Sequence, residues 1–139
     1  MKKTHYSNTP PLHHSSYAIT IISGGQTDGD RTALDWALAR AVECGGWCPK
    51  GRKAEDGRID PKYPLRETRS AAYIQRTEWN VRDSDATVLF SIEPTLTGGP
   101  KKTLEFAGKH NKPCLHLCAA DTISQRASKL SLRSTVSRC

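Results

Sequence analysis

Two glycine-bearing turns, each set between an apolar run and a helix-like run, constrain this chain more than any other feature. The first leads from Ile19-Thr20-Ile21-Ile22-Ser23 through Gly24-Gly25-Gln26-Thr27-Asp28-Gly29-Asp30-Arg31 into Ala33-Leu34-Asp35-Trp36-Ala37-Leu38-Ala39. The second leads from Ala86-Thr87-Val88-Leu89-Phe90-Ser91-Ile92 through Thr97-Gly98-Gly99-Pro100 into Thr103-Leu104-Glu105-Phe106-Ala107. An apolar, β-branched run that stops at glycines and restarts with helical spacing predicts a buried parallel strand feeding its crossover helix. Backbone N–H groups and the positive end of the helix dipole converge at such a joint, so an anion can bind there. Neither turn has GxxxxGK[ST] or GxGxxG spacing. A tight turn without a ligand accounts for the glycines equally well.

The rest of the chain alternates in the same way. Tyr17 to Ser23 is the first strand, and Asp30 to Glu43 has helical spacing with Asp30 placed to cap it. Gly45-Gly46-Trp47-Cys48-Pro49 breaks that helix and has room for a very short strand. Lys50 to Thr68, charged and punctuated by Gly51, Gly57, Pro61 and Pro64, reads as one long loop. Ser70 to Arg82 reads as a helix with Tyr73, Thr77 and Asn80 on one side and Arg76 beside them. A strand over Ala86 to Ile92, a helix over Thr103 to His110 and a strand over Cys114 to Cys118 follow. This order predicts right-handed βαβ units in an α/β fold: an open, mostly parallel, three-layer Rossmann-like sheet with both glycine turns at its carboxyl edge. A chain of 139 residues makes one such domain. We assign it to residues 17–120, between a polar tail over 1–16 and an atypical segment over 121–139.

The formal charge of +7 raises nucleic acid as a partner. The excess lies at Lys2 and Lys3, in the 50–69 stretch and after Gln125, with no aromatic interleaving and no nucleic-acid-binding motif, so nucleic acid is not expected. A basic loop around a small anionic ligand, or a solvated basic face, explains the middle cluster. No apolar run approaches twenty residues and the first residues lack a secretory pattern, which excludes a membrane partner and points to the cytoplasm. Five cysteines lack CxxC spacing, and their odd number predicts reduced thiols. Cys114, His116 and Cys118 share one face of a strand, where cysteine usually acts as a small buried hydrophobe, so no metal site is expected.

Chemistry alone nominates a set of binding residues. Gly24, Gly25, Gln26 and Thr27 offer backbone N–H groups, and the last two add side-chain donors. Arg31, Arg52, Arg66 and Arg76 are the arginines suited to bidentate contact with phosphate, with Arg52 and Arg76 ahead of Arg31, although each also serves as an ordinary ion-pair partner. Gly98, Gly99 and Thr103 supply the second turn, and Asn80 lies one turn of helix beyond Arg76. Trp47 and Trp79 either stack on a ring or fill the core.

Longer blocks carry a resemblance. Ile22-Ser23-Gly24-Gly25-Gln26-Thr27 with Asp30-Arg31, Gly45-Gly46-Trp47-Cys48-Pro49-Lys50-Gly51-Arg52, Tyr63-Pro64-Leu65-Arg66-Glu67-Thr68 and Arg76-Thr77-Glu78-Trp79-Asn80-Val81-Arg82-Asp83-Ser84-Asp85 resemble the putative molybdenum carrier family. That family is similar in fold to the Rossmann-like superfamily of LOG-type phosphoribohydrolases and DNA-processing protein A domains. The resemblance implies a ligand carrier rather than an enzyme, holding molybdenum cofactor, a pterin with a phosphate and a dithiolene. It is compatible with a homo-oligomer and with a molybdoenzyme as recipient. The chain departs from the family at Asp28-Gly29, at Pro100-Lys101-Lys102 before Thr103, and at its end, where only Gln125-Arg126-Ala127-Ser128-Lys129 is similar to the family's closing region, so the C-terminus is expected to be truncated. Two alternatives use the same turns: a LOG-like nucleotide N-glycosidase, with Glu105 as the catalytic acid seven residues after Gly98, and a sensor of a nucleotide derivative without chemistry.

Overall fold

In a computed structural model, residues 18–121 are described. The tail assigned to 1–16 and the closing segment with Gln125 to Lys129 lie outside them. The elements run β1 (Ile21–Ile22), α1 (Gly29–Ala39), β2 (Cys44–Gly45), β3 (Trp47–Cys48), β4 (Lys53–Ala54), β5 (Gly57–Arg58), β6 (Arg66–Glu67), α2 (Tyr73–Asp83), β7 (Thr87–Ser91), α3 (Gly98–Lys109) and β8 (Cys114–Cys118). Strands β1 and β2, β3 and β6, and β7 and β8 pair in parallel, whereas β4 and β5 form an antiparallel hairpin. This is the α/β, mostly parallel, Rossmann-like arrangement that the alternation predicts.

Residues 44–48 act as one strand kinked at Gly46. Its Glu43 and Gly45 carbonyls accept from Ile21 and Ser23, and its Gly46 and Cys48 carbonyls accept from Arg66 and Thr68. Because successive carbonyls of an extended chain point to opposite edges, β1 and β6 flank this strand on its two sides. Gly46, at φ 137°, has the Ser23 backbone where a Cβ would stand, so only glycine lets the two strands approach. Past Ser23 the first strand turns away, and the Asn80 side chain takes its place. Asn80 Oδ1 accepts from Trp47 N–H at 2.7 Å and Asn80 Nδ2 donates to the Trp47 carbonyl at 2.9 Å.

The helices end for identifiable reasons. Ala41 and Asn111 adopt left-handed φ values of 54° and 53°. The next residues then turn back: Val42 N–H bonds to the Ala37 carbonyl at 2.9 Å and Lys112 N–H to the Ala107 carbonyl at 2.8 Å. Helix α3 begins at Gly98, five residues before the start that its apolar spacing marks, because Pro100 falls in the first turn, where a missing N–H costs nothing. Helix α1 begins at Gly29, and its N-cap is Asp28, without a side-chain capping bond. Asp30, the expected cap, lies inside the first turn.

Apolar packing divides into two clusters. Leu34, Cys48, Ala54, Ile59, Tyr63 and Leu65 pack beneath α1, and Val81, Leu89, Ala107 and Cys114 pack where α2 and α3 meet β7 and β8. On β7 the alternate residues Val88 and Phe90 face outward, and Ile92 just beyond it is exposed as well.

The stretch read as a loop over Lys50 to Thr68 contains three short strands. Its organiser is Arg52, which is buried. Its Nε donates to the Ile59 carbonyl at 3.1 Å, Nη1 to that of Leu65 at 3.1 Å, and Nη2 to those of Asp60 and Tyr63 at 2.8 and 3.0 Å. Four backbone acceptors thus close around one guanidinium. Replacing Arg52 by Met keeps much of the length and removes every donor, and is expected to cost on the order of 3 kcal/mol in urea unfolding. A loss below about 1 kcal/mol would contradict this account of the segment.

Candidate functional site

The first glycine turn is enclosed rather than open: Ser23, Gly24, Gly25 and Gln26 are all buried. Its backbone is tied on every side. Ser23 Oγ donates to the Asp30 carbonyl at 2.9 Å and accepts from Gly25 N–H at 3.3 Å. Gln26 Nε2 donates to the Lys53 carbonyl at 3.0 Å, which fixes the turn against the β4–β5 hairpin. Arg31 Nε donates to the Gly25 carbonyl at 3.1 Å while its two Nη atoms pair with both carboxylate oxygens of Asp56, one of them at 2.8 Å. Arg31 is thereby held between the turn and the hairpin, and its hydrogen bond to Asp56 raises the guanidinium pKa above its ordinary value.

Arg76 closes the turn from the opposite side. It projects from α2, and a Cβ built on Gly24 would collide with its guanidinium, so the glycine is what admits it. Nη1 reaches Asp30 Oδ2 at 3.5 Å, and Asp30 Oδ2 also accepts from Gln26 N–H at 3.3 Å. Nε of Arg76 is buried and has no hydrogen-bond partner. Burial lowers the Arg76 pKa from its ordinary value, with Asp30 opposing that shift. Tyr73, one turn earlier on α2, places its ring near both Arg76 and Lys53, with centroid distances of 6.0 and 5.2 Å. A partly desolvated cation with an unused donor, a set of buried amides and an aromatic ring therefore meet at one turn.

The other nominated residues stand elsewhere. Arg52 is used by four carbonyls and Asn80 by the Trp47 backbone, as described above. Thr27 is half-buried beside the turn. Gly98 and Gly99 are exposed at the start of α3 with open space where their side chains would be, and Thr103 Oγ1 donates back to the Gly99 carbonyl at 3.0 Å. Glu105 is exposed on α3 and pairs with Lys102 Nζ at 2.8 Å, which lowers its pKa. Trp47 and Trp79 meet edge to face, their centroids 4.8 Å apart, and the Trp47 indole donates to Asp83 Oδ2 at 2.7 Å. Cys114 and Cys118 are buried, and among the described residues no group of three histidine, cysteine or acidic side chains is placed to hold a metal.

A separate cavity of about 630 Å³ lies at the carboxyl ends of β7 and β8. Asp28, Phe90, Ser91, Ile92, Leu117, Cys118 and Ala119 line it. Ser91 Oγ donates to the Glu93 carbonyl at 2.6 Å and meets His116 Nε2 at 2.7 Å, so the serine proton is already committed and the histidine serves as its donor. Asp28 brings the end of the first turn to this cavity.

Sequence reasoning missed the roles of Asp30, Tyr73 and Lys53 here. The signal available for Asp30 was the pair Asp30-Arg31 in the first turn of a helix that begins at glycines. A capping role absorbed it. No helix among the described residues is long and apolar enough to cross a membrane.

Comparison with known proteins adds to this picture. A model of the circularly permutated YpsA SLOG family matches residues 21–137. A crystal structure from Syntrophus aciditrophicus SB, described as a putative molybdenum carrier protein, is 46% identical, with 81% of this chain and 71% of that one covered and a TM-score of 0.74. No curated protein matches.

The collision at Gly24 yields a test. Gly24→Ala forces the Arg76 guanidinium from its place and is expected to cost about 1–3 kcal/mol in chemical denaturation, as overpacking of a filled site does. Gly29→Ala, with nothing within 4 Å of the added carbon, is the control and leaves stability unchanged or slightly raised. Equal effects of the two substitutions would refute the packing.

Proposed function

The chain belongs to the circularly permutated YpsA SLOG family, and on that premise we propose that it is a carrier of an anionic, phosphorylated ligand held at the Gly24–Gln26 turn. The observation that carries this reading is Arg76, a largely covered cation with 18% of its side chain exposed, whose buried Nε–H lacks an acceptor beside a turn of buried amides. Leaving such a donor unsatisfied costs about 1–3 kcal/mol, and an oxyanion at the turn repays it. Arg76 and the Gln26 amide offer a cation and N–H donors to a phosphate or another tetrahedral oxyanion.

The neighbouring structure's description as a molybdenum carrier makes molybdenum cofactor the first cargo to test. Its phosphate suits Arg76 and the Gln26 amide, and the Tyr73 ring offers a flat surface for the pterin. A molybdenum-dependent enzyme is the recipient that such a carrier implies. The glycosidase reading loses ground because Glu105 is exposed and ion-paired with Lys102, on a different helix from Arg76. No second carboxylate stands with Glu105 to share the work of breaking an N-glycosidic bond in any contact described for it.

Two measurements decide the matter. Phosphate or molybdenum cofactor is expected to raise Tm, by an amount equivalent to about 2.7 kcal/mol when free ligand is a hundredfold above Kd, and Arg76→Ala is expected to abolish the shift relative to its own unliganded baseline. The absence of any shift in the wild-type chain at millimolar anion would sink the anion site. Incubation with nucleoside monophosphates is expected to release no free base. Base release by the wild type that is lost in Glu105→Gln would replace the carrier with an enzyme.

A further inference from the structure

The donors of the Gly24–Gln26 turn already have an occupant. Gln26 N–H and Arg76 Nη1 converge on a single oxygen, Oδ2 of Asp30, at 3.3 and 3.5 Å. Both distances sit at the long end of the hydrogen-bond range, so the contact is a weak one. Arg76 Nε receives nothing from it. The Asp30 main chain is pinned by Ser23 Oγ at 2.9 Å, while its side chain is 38% exposed and faces solvent on one side. Asp30 also lies in the first turn of α1, where a carboxylate interacts favourably with the helix dipole in the absence of any ligand.

We propose that the Asp30 carboxylate is an internal stand-in for the ligand's anionic group, and that a ligand binds by displacing it. This inference rests on the anion site proposed above and deepens it. An oxyanion on the same two donors would lie against the Asp30 carboxylate, and like charges in a partly desolvated site repel strongly. The carboxylate therefore leaves as the ligand enters. The exchange favours only a group that offers more than Asp30 does. A phosphate monoester brings three oxygens and up to two negative charges, so it can meet the Gln26 amide and Nη1 with separate oxygens, whereas a carboxylate ligand merely repeats the contact that it removes. Asp30 thus sets a threshold that selects phosphate monoesters over carboxylates and halides.

Titration of the full chain with inorganic phosphate and with acetate, followed by calorimetry, tests this. Asp30→Asn is expected to tighten phosphate binding by about tenfold and to bring acetate binding within reach, since the internal competitor loses its charge. Asp30→Ala serves if the asparagine variant does not fold, with circular dichroism as the check. Glu55→Gln is the control. Glu55 is an exposed acid that acts on Arg76 only through its field, and its removal is expected to change phosphate affinity by less than about twofold. In an Arg76→Gln background the gain from Asp30→Asn is expected to vanish. Phosphate binding that is no tighter in Asp30→Asn or Asp30→Ala than in the wild type overturns the inference and leaves the anion site standing. An equal gain in Glu55→Gln overturns it too, because general charge would then be the cause. Failure of the wild type and of every variant to bind phosphate overturns the site and the inference together.

Discussion

A single buried guanidinium organises the part of this chain that apolar packing cannot. Residues 50–68 contribute few core side chains, chiefly Ala54, Ile59, Tyr63 and Leu65, and their strands are two residues each. Strands so short hold no register alone. Arg52 supplies what they lack by gathering the carbonyls of Ile59, Asp60, Tyr63 and Leu65 around one planar fork. Its five donors in fixed directions do what no lysine can, because a point charge on a flexible stem cannot define four acceptor positions. Once that fork is filled, Lys53 and Asp56 are placed beside the first glycine turn, where the Lys53 carbonyl receives Gln26 and the Asp56 carboxylate receives Arg31. The cation that stabilises the segment therefore also shapes the candidate site, at one remove and without touching it.

The site itself shows how packing and charge share one position. Gly24 is small so that Arg76 can approach, and most of the Arg76 side chain is covered where α2 packs against the kinked strand through Asn80. Its desolvation is offset only in part by Asp30. A turn that served the backbone alone would have no use for such a cation. Nor would it need a carboxylate that accepts from both its amide and the guanidinium.

Much of the fold was legible in the sequence because it depends on periodicity and on punctuation. The β-branched run ending at Ser23, the helical spacing of Leu34 and Ala37, and the run from Thr87 to Ser91 each announced their elements. The helix starts were less legible. Gly98 and Gly99 have poor helix propensity, yet they open α3 because Pro100 and the packing of Leu104 and Ala107 set its register. Arg52 and Asn80 illustrate the harder case. Both are residue types that bind ligands well, and both spend their hydrogen-bonding capacity on backbone groups far along the chain, at Leu65 and Trp47. Side-chain chemistry named them as donors, but only the folded chain decides which acceptor stands in front of a donor. Arg76 differs from them: its Nη1 meets a carboxylate, and its buried Nε found no acceptor.

Helix α2 presents Arg76, Asn80 and Asp83 at intervals of four and three residues, hence on one face. The first meets the glycine turn, the second pairs with the Trp47 backbone, and the third accepts the Trp47 indole N–H, with Arg82 and then Trp47 among the groups that hold its carboxyl down at about 2. The helix thus meets the turn near one end and grips a fluorophore at the other. Any rotation or sliding of α2 that accompanies a change at Arg76 alters the hydrogen bond and the charge beside that indole. The protein carries, in Trp47, its own optical gauge of what happens at the turn.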